Sequence, residues 1–195
     1  MEPIILASGS LRRQEYFKLL GLPFNIMPSY VDETPQMDMS HKEQAEQIAE
    51  RKVRKILEVL DGRLPLWILG ADTMISIDNK VFGKPADRQE AYTMLKTLAG
   101  RTHEVITAMA LYVGREKRIA LKSVTSKVRF STLSPEEIEW YLDTGEWQGV
   151  AGAYQIQGLA SCFISYIEGS YSGIVGLPIH EFYGMLRENG YPYGA

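Results

Sequence analysis

Short apolar runs alternate with helical patterns along this sequence, and that alternation restricts the fold more than any other feature. Strand-like runs occupy residues 3–7, 24–27, 66–69, 103–113 and 118–131. Segments with helical periodicity separate most of them. Alternating strands and helices are typical of α/β proteins. We therefore expect the α/β class, with a mixed twisted sheet flanked by helices.

Helix-start signals place three of the helices. A capping residue followed three positions later by glutamate begins helices at Ser40, Asp87 and Ser134, and the first two end near Leu60 and Gly100. The remaining predicted elements are helices over 10–20 and from about Pro178, and short strands near 155–157 and 162–167. Because no repeat, low-complexity tract or linker interrupts this pattern, we expect a single domain over residues 1–195.

The length, net charge and cysteine content exclude several classes of protein. With 195 residues the chain can bury a core without disulfides, and a net charge of −3 argues against a binder of nucleic-acid polymers. Its one cysteine, Cys162, lies in an apolar run and is expected to be a buried thiol. There is no run of about 18 apolar residues and no signal-peptide pattern, so we expect a cytoplasmic protein without a membrane span.

A lysine inside an apolar stripe is the first residue that points to function. In the helix over 40–60, Lys52 projects into the buried face when residues are placed at about 100° intervals. That face comprises Ala45, Ile48, Ala49, Val53, Ile56 and Leu60. An unpaired ammonium is unfavourable there. Lys52 therefore either reaches water, forms an internal ion pair, or binds an anion in a cleft.

Two arginines repeat this oddity in the first helix. Its predicted inner face comprises Tyr16, Leu19 and Leu20. Arg12 and Arg13 fall on the same arc, directly after the small-residue turn at 7–10. Backbone N–H groups and the positive end of the helix dipole make such a turn an anion site, to which guanidinium groups add donors. The alternative is that Ser10 is an ordinary N-cap beside two surface arginines.

Three carboxylates suggest a metal ion. Asp72 follows the apolar strand at 66–69, at the carboxyl edge where open α/β sheets bind ligands, and Asp32 and Glu33 form an acidic pair in a loop. Together they suit a hard divalent cation that bridges to phosphate oxygens. The alternatives are a turn-capping role for Asp72 and a solvated loop for the acidic pair.

Other polar residues are less informative. Lys84 lies in a Gly-Lys-Pro turn and is either a phosphate ligand or an ordinary surface lysine. The three histidines, His41, His103 and His180, have no metal-ligand spacing and are expected to be structural.

Short motifs run in order across nearly the whole chain: Leu6-Ala7-Ser8-Gly9-Ser10-Leu11-Arg12-Arg13, Asp32-Glu33, Lys52, Gly70-Ala71-Asp72-Thr73, Gly83-Lys84-Pro85, Gly100-Arg101-Thr102-His103, Ala151-Gly152-Ala153-Tyr154, Ile156-Gln157-Gly158 and Val175-Gly176-Leu177-Pro178. This ordered set resembles the Maf family of nucleotide pyrophosphatases, also called septum-formation-inhibitor-like proteins. Any one motif is weak, and the ordered set is specific.

The resemblance implies an α/β fold of two lobes around a central nucleotide cleft, often as a homodimer. It implies hydrolysis of a nucleoside triphosphate between the α- and β-phosphates, with Asp72 as proton acceptor. Positions matching Arg12, Thr73 and Gln157 are linked to substrate choice, and Thr73 with Ile156-Gln157-Gly158 is similar to the subgroup that acts on dTTP and UTP.

We therefore expect a triphosphate site and a metal site. The residues expected to bind the triphosphate are Ser8, Arg12, Arg13, Lys52 and Lys84. Glu33 and Asp72 are expected to hold Mg²⁺ or Mn²⁺. Two other functions stay open, a house-cleaning pyrophosphatase for modified pyrimidine nucleotides and a non-catalytic nucleotide-binding regulator of cell division.

The sequence departs from the family pattern at three places. Leu11 replaces a usual proline, and Gln155 replaces a common glycine. Gly149-Val150 replaces an Asp-Lys pair, which removes a lysine suited to phosphate and makes the substrate preference inferred by analogy less secure.

Overall fold

The computed structural model describes residues 1–34, 39–62 and 65–193, which form a mixed α/β structure. The strands are β1 Ile4–Leu6, β2 Phe24–Ile26, β3 Trp67–Ile77, β4 Lys80–Phe82, β5 Thr102–Val113, β6 Arg118–Phe130 and β7 Ile164–Glu168. The helices are α1 Leu11–Leu19, α2 His41–Val59, α3 Arg88–Leu98, α4 Pro135–Asp143, α5 Tyr171–Val175 and α6 Ile179–Glu188. Short 3₁₀ helices cover Ala151–Ala153 and Leu159–Phe163. The predicted α/β class is confirmed.

The strands form one seven-stranded sheet in the order β2-β1-β3-β5-β6-β7, with β4 paired to β3. β1 pairs in parallel with β2 and with β3, whereas β4 is antiparallel to β3 and β7 is antiparallel to β6. The sheet is therefore mixed, as the sequence predicts. The pairing of β1 with β3 ends at Leu6 and Leu69, so β3 continues beyond the end of its parallel neighbour.

The chain divides into two compact units. The first comprises Met1–Asp72, Thr107–Val124 and Gly176–Ala195, and the second comprises Thr73–Ile106 and Thr125–Val175. The strands β3, β5 and β6 each contribute residues to both units. The single domain over 1–195 and the nucleotide cleft stay predictions.

The core of the first unit is aromatic and aliphatic. It comprises Ile4, Leu6, Phe17, Leu22, Trp67, Leu69, Ala71, Met109, Leu111, Val113, Leu177, Phe182, Met185, Leu186 and Tyr191. Helix α1 joins it through Phe17, whose ring lies 5.2 Å from that of Phe24 and 5.5 Å from that of Phe182. Burial of these side chains provides most of the favourable free energy that fixes α1 on the sheet.

The predicted inner face of α1 is partly wrong. Leu19 is 72% exposed, and the buried residues of α1 are Arg13 and Phe17, which are four positions apart on one face. The sequence pattern favoured Leu19 because it is apolar. Arg13 does face inward, as predicted, and its guanidinium donates hydrogen bonds to Gly176 and Ser8 there.

Helix α2 lies very close to β3, and Gly70 makes this possible. A Cβ atom at Gly70 would lie 2.3 Å from the carbonyl oxygen of Ala49 and 2.9 Å from Cγ2 of Val53. It would also lie 3.3 Å from Cβ of Lys52. The glycine therefore allows the helix backbone to approach the strand and brings Lys52 over β3.

The predicted end of the strand before Asp72 is wrong. Strand β3 does not stop at Leu69 but runs through Asp72 to Ile77. Glycine and aspartate are typical turn residues, which is why the sequence pattern favours a strand end there. In the fold Gly70 serves helix packing, and Asp72 is a buried residue inside a strand.

The second unit has a buried polar pair in an aromatic cluster. His103 Nε2 lies 2.8 Å from the hydroxyl of Tyr154. Both rings pack edge-on against Phe130. Tyr154 leads into residues 155–158, and a strand was expected near residues 155–157. That prediction is wrong, because the segment forms a turn in which Gly158 N–H donates to the Gln155 carbonyl.

The environment of Cys162 and the character of the helices bear on two further expectations. Cys162 is exposed, so the prediction of a buried thiol is wrong. The buried residues of the 3₁₀ helix Leu159–Phe163 are Ala160 and Phe163. No helix within the described residues has the length and apolar character required to span a membrane.

We expect Gly70→Ala to lower the free energy of unfolding by about 1–3 kcal/mol, because the new methyl group must push α2 away from β3. Urea denaturation measures this change. Gly83→Ala is the matched control, since no atom lies within 4 Å of a Cβ there. Equal stability of the two variants would contradict the close packing of α2 on β3.

Acid should destabilise the protein through His103. Burial lowers the pKa of His103 from 6.5 to about 4, so the imidazole stays neutral in the folded protein where the unfolded chain binds a proton. This stability is complete above pH 6.5 and is lost as the pH falls towards about 4. We expect a loss of up to about 3 kcal/mol across that range, measured by urea denaturation at several pH values. His103→Gln should lack this part of the pH dependence, and identical pH profiles would contradict the assignment.

Candidate functional site

Lys52 is a buried lysine that pairs with two carboxylates in the first unit. Its side chain projects from the apolar face of α2 and is 8% exposed. The ammonium Nζ lies 2.8 Å from Asp72 Oδ1, 2.7 Å from Glu33 Oε1 and 3.3 Å from the carbonyl oxygen of Ala71. The expectation that Lys52 faces into the apolar stripe is confirmed. The sequence left three alternatives for Lys52: contact with water, an internal ion pair, or anion binding. In this structure the ammonium forms the internal ion pair.

The two carboxylates reach Lys52 from different parts of the chain. Asp72 lies in β3 with its side chain 10% exposed, and Glu33 lies in the loop after β2 with its side chain 47% exposed. Asp32 is used locally, because its Oδ1 accepts hydrogen bonds from the backbone N–H and the hydroxyl of Thr34. These bonds to Thr34 lower the pKa of Asp32. Lys52 therefore forms ion pairs with Asp72 and Glu33, whereas Asp32 forms hydrogen bonds within its own loop.

Arg13 is buried at the start of α1. Its Nε donates to the carbonyl oxygen of Gly176 at 2.9 Å, and its Nη1 donates to Ser8 Oγ at 3.1 Å. Burial lowers the pKa of Arg13, and the negative charge of Asp72 opposes that shift. Ser8 also accepts the backbone N–H of Ser10 at 3.2 Å. A hydrogen bond thus connects Ser8, in the turn before α1, to Arg13 in the first turn of the helix.

The start of α1 differs in charge from the other long helices. Helices α2, α3, α4 and α6 have glutamate in their first turn, which suits the positive end of the helix dipole. The first turn of α1 has no acidic residue and contains Arg12 and Arg13, and Ser10 makes no side-chain cap bond. Burial lowers the pKa of Arg12 as well. This end of α1 therefore concentrates positive charge, as an anion site requires.

Glu33 and Asp72 are the two carboxylates that were expected to hold a divalent cation. No group of three or more His, Cys, Asp or Glu suited to a metal occurs among residues 1–34, 39–62 and 65–193. Glu33 and Asp72 supply two oxygen donors around one point, the position of Lys52 Nζ. Mg²⁺ typically takes one or two carboxylates and completes its shell with water and phosphate oxygens. The donor set suits such an ion and does not form an all-protein cage.

The other predicted site residues lie in the second unit. Thr73 is half-buried in β3, where this unit begins. Lys84 is exposed just after β4, and Gln157 is exposed in the turn at residues 155–158. Gln157 Nε2 donates to Gln155 Oε1 at 2.9 Å. Within the first unit the structure brings together Ser8 with Arg13, and Lys52 with Glu33 and Asp72.

Sequence reasoning did not give a role to Gly176. Its carbonyl accepts the hydrogen bond from Arg13, and its φ of 131° lies in the region that favours glycine. The signal was present as a glycine just before the leucine and proline that precede α6. The backbone direction that this glycine permits could not be read from the sequence.

The comparisons with known proteins agree over nearly the whole chain. A family described as Maf-like protein matches residues 3–189. A dTTP/UTP pyrophosphatase of Symbiobacterium thermophilum is 45% identical over 192 residues, which cover 98% of this chain and 96% of the relative. Proteins of the same name from Pelotomaculum thermopropionicum and Desulforamulus reducens are 41% and 44% identical. The alignment with the Pelotomaculum protein covers 98% of this chain and 98% of the relative, and the alignment with the Desulforamulus protein covers 96% of both.

The family match, the extent of these similarities and the motif order agree with one another. On this evidence the chain is a member of the Maf-like protein family.

Proposed function

We propose that this protein is a nucleoside triphosphate pyrophosphatase that hydrolyses dTTP and UTP to the monophosphate and pyrophosphate. One observation carries the proposal: the positive start of α1 and the Lys52–Asp72 pair occur in the same unit. The names of the relatives support the same activity and the same two substrates. Its substrates occur in the cytoplasm, where we expect the enzyme to act.

Positive groups at the start of α1 bind the triphosphate in this proposal. Arg12 and Arg13, the hydroxyl of Ser8 and the backbone N–H groups of the first turn donate to phosphate oxygens. Arg13 is already oriented by Gly176 and Ser8, so little side-chain freedom is lost on binding. Such preorganised donors stabilise the charge that develops on the phosphates as the bond breaks.

Asp72 accepts the proton of the attacking water. The water oxygen bonds to the α-phosphorus, the bond from that phosphorus to the bridging oxygen breaks, and the bridging oxygen leaves with pyrophosphate. The proton passes to the Asp72 carboxylate, whose Oδ1 is positioned by Lys52 at 2.8 Å. Lys52 therefore has a positioning role, in addition to the phosphate contact expected from the sequence.

Glu33 and Asp72 would hold Mg²⁺ or Mn²⁺ together with the substrate. When bound, the ion neutralises charge on phosphate oxygens. Lys52 pairs with both carboxylates in this structure, so the ion and the ammonium would share their oxygens. Lys84 as a further phosphate ligand, and Thr73 and Gln157 as residues that select the base, follow from the family resemblance.

Asp72→Asn should lower kcat for UTP by about 10²-fold or more, because the amide cannot accept the proton. Pyrophosphate release in the presence of Mn²⁺ measures the rate. Asp143→Asn is the matched control, since Asp143 is an exposed carboxylate that pairs with Arg88. An Asp72→Asn enzyme with more than about a tenth of the wild-type kcat would remove Asp72 from this role.

Arg12→Gln should raise KM for UTP by about tenfold or more, the effect of losing one charged hydrogen bond to phosphate. Arg12 does not belong to the apolar core, so the thermal unfolding midpoint should change little. Arg54→Gln provides the comparison, because Arg54 is exposed on α2 and pairs with Glu50. An unchanged KM in Arg12→Gln, or an equal rise in Arg54→Gln, would contradict phosphate binding at α1.

A further inference from the structure

A chain of hydrogen bonds holds the turn that carries Gln157. Gln157 Nε2 donates to Gln155 Oε1 at 2.9 Å, and Gln155 Nε2 donates to the backbone carbonyl of Glu146 at 2.9 Å. Gly158 N–H closes the turn by donating to the Gln155 carbonyl at 3.1 Å. Two side-chain amides are thus connected in series to one backbone oxygen.

The backbone oxygen decides the orientation of both amides. A carbonyl oxygen can only accept, so Gln155 must turn its NH₂ group towards Glu146 and its oxygen towards Gln157. Gln157 must then turn its own NH₂ group towards that oxygen. The amide of Gln157 therefore takes one of its two possible orientations in this arrangement.

The turn itself is held on both sides. The carboxylate of Glu146 accepts the backbone N–H of Leu159 at 2.9 Å, and a Cβ at position 158 would lie 2.2 Å from that carboxylate. Tyr154 and Ile156 are buried, whereas Gln157 is exposed. The amide is therefore presented to solvent from a turn that these contacts hold to Glu146.

A glutamine amide can pair with uracil or with cytosine, but in opposite orientations. The uracil edge offers an N3–H donor beside the O4 acceptor, so it requires the amide oxygen at N3 and the NH₂ group at O4. The cytosine edge offers an N3 acceptor beside an N4 donor, so it requires the reverse. A freely rotating glutamine would accept both bases, and a fixed one accepts only one of them.

We propose that Gln155 is a positioning residue that holds the amide of Gln157 in one orientation. In this proposal the orientation pairs with pyrimidines that carry N3–H, as do the dTTP and UTP of the relatives' names, and not with cytosine. This inference rests on the proposed function and deepens it, because it assigns the selection between UTP and CTP to a residue at which the chain departs from the family pattern. Gln155 need not touch the nucleotide.

The test compares kcat/KM for UTP with kcat/KM for CTP, because the two substrates share the ribose and the triphosphate. Gln155→Met keeps the length of the side chain and removes the acceptor. The ratio of UTP to CTP should then fall by about three- to tenfold, the effect of one hydrogen bond between neutral groups. The value for UTP itself should change less than the value for CTP.

Gln155→Glu separates positioning from a merely structural role. Its carboxylate still accepts from Gln157, but like methionine it cannot donate to the Glu146 carbonyl. Positioning predicts that Gln155→Glu keeps the wild-type ratio while Gln155→Met loses it. A structural role predicts the same ratio in both variants. An unchanged ratio in Gln155→Met, or an equal loss in both variants, would overturn the proposal.

A measurement on the wild-type protein covers the case in which a variant does not fold. Nitrogen-15 relaxation should show the Gln157 side-chain amide ordered like the backbone of its turn, and a freely rotating amide would overturn the proposal. If the wild-type enzyme releases no pyrophosphate from UTP, the proposed function fails. If it does so and the Gln155→Met ratio is unchanged, only this inference fails.

Discussion

The ion pair between Lys52 and Asp72 is the interaction on which the rest of the site depends. Both side chains are at least 90% buried, and removal of one partner of such a pair typically costs about 3–5 kcal/mol. The fold allows this pair because Gly70 lets α2 approach β3 closely enough for Lys52 to reach the strand. A buried pair contributes little net stability compared with apolar residues, so its presence here favours a chemical role.

The start of α1 carries positive charge where positive charge is unfavourable. Two arginines at the positive end of a helix repel that end, and each such charge typically costs about 0.3–1 kcal/mol. Arg13 is stabilised by Gly176 and Ser8, and a bound anion would offset the remaining repulsion. The opposite signs at α1 and at Asp72 suit a substrate that is a polyanion and a reaction that requires a proton acceptor.

Much of this arrangement could be predicted from the sequence, because local patterns determine it. The caps of α2 and α4 and the apolar stripe around Lys52 follow from spacing alone. The position of Asp72 inside β3 and the turn at residues 155–158 could not be predicted in this way. Both depend on partners distant in sequence: α2 packs on Gly70, and Glu146 holds the turn. The resemblance supplied the family, and the comparisons confirmed it.

The central claim is that the positive groups around Asp72 in the first unit bind the phosphates of the substrate. The most direct measurement is a crystal structure of the protein with α,β-methylene-UTP and Mg²⁺, in which the bond to be hydrolysed is replaced by a stable one. The claim predicts phosphate oxygens within hydrogen-bonding distance of Arg13 and of the first-turn N–H groups of α1, with the α-phosphorus facing the Asp72 carboxylate. Phosphates bound elsewhere, with Arg13 and Lys52 retaining only their protein partners, would contradict it.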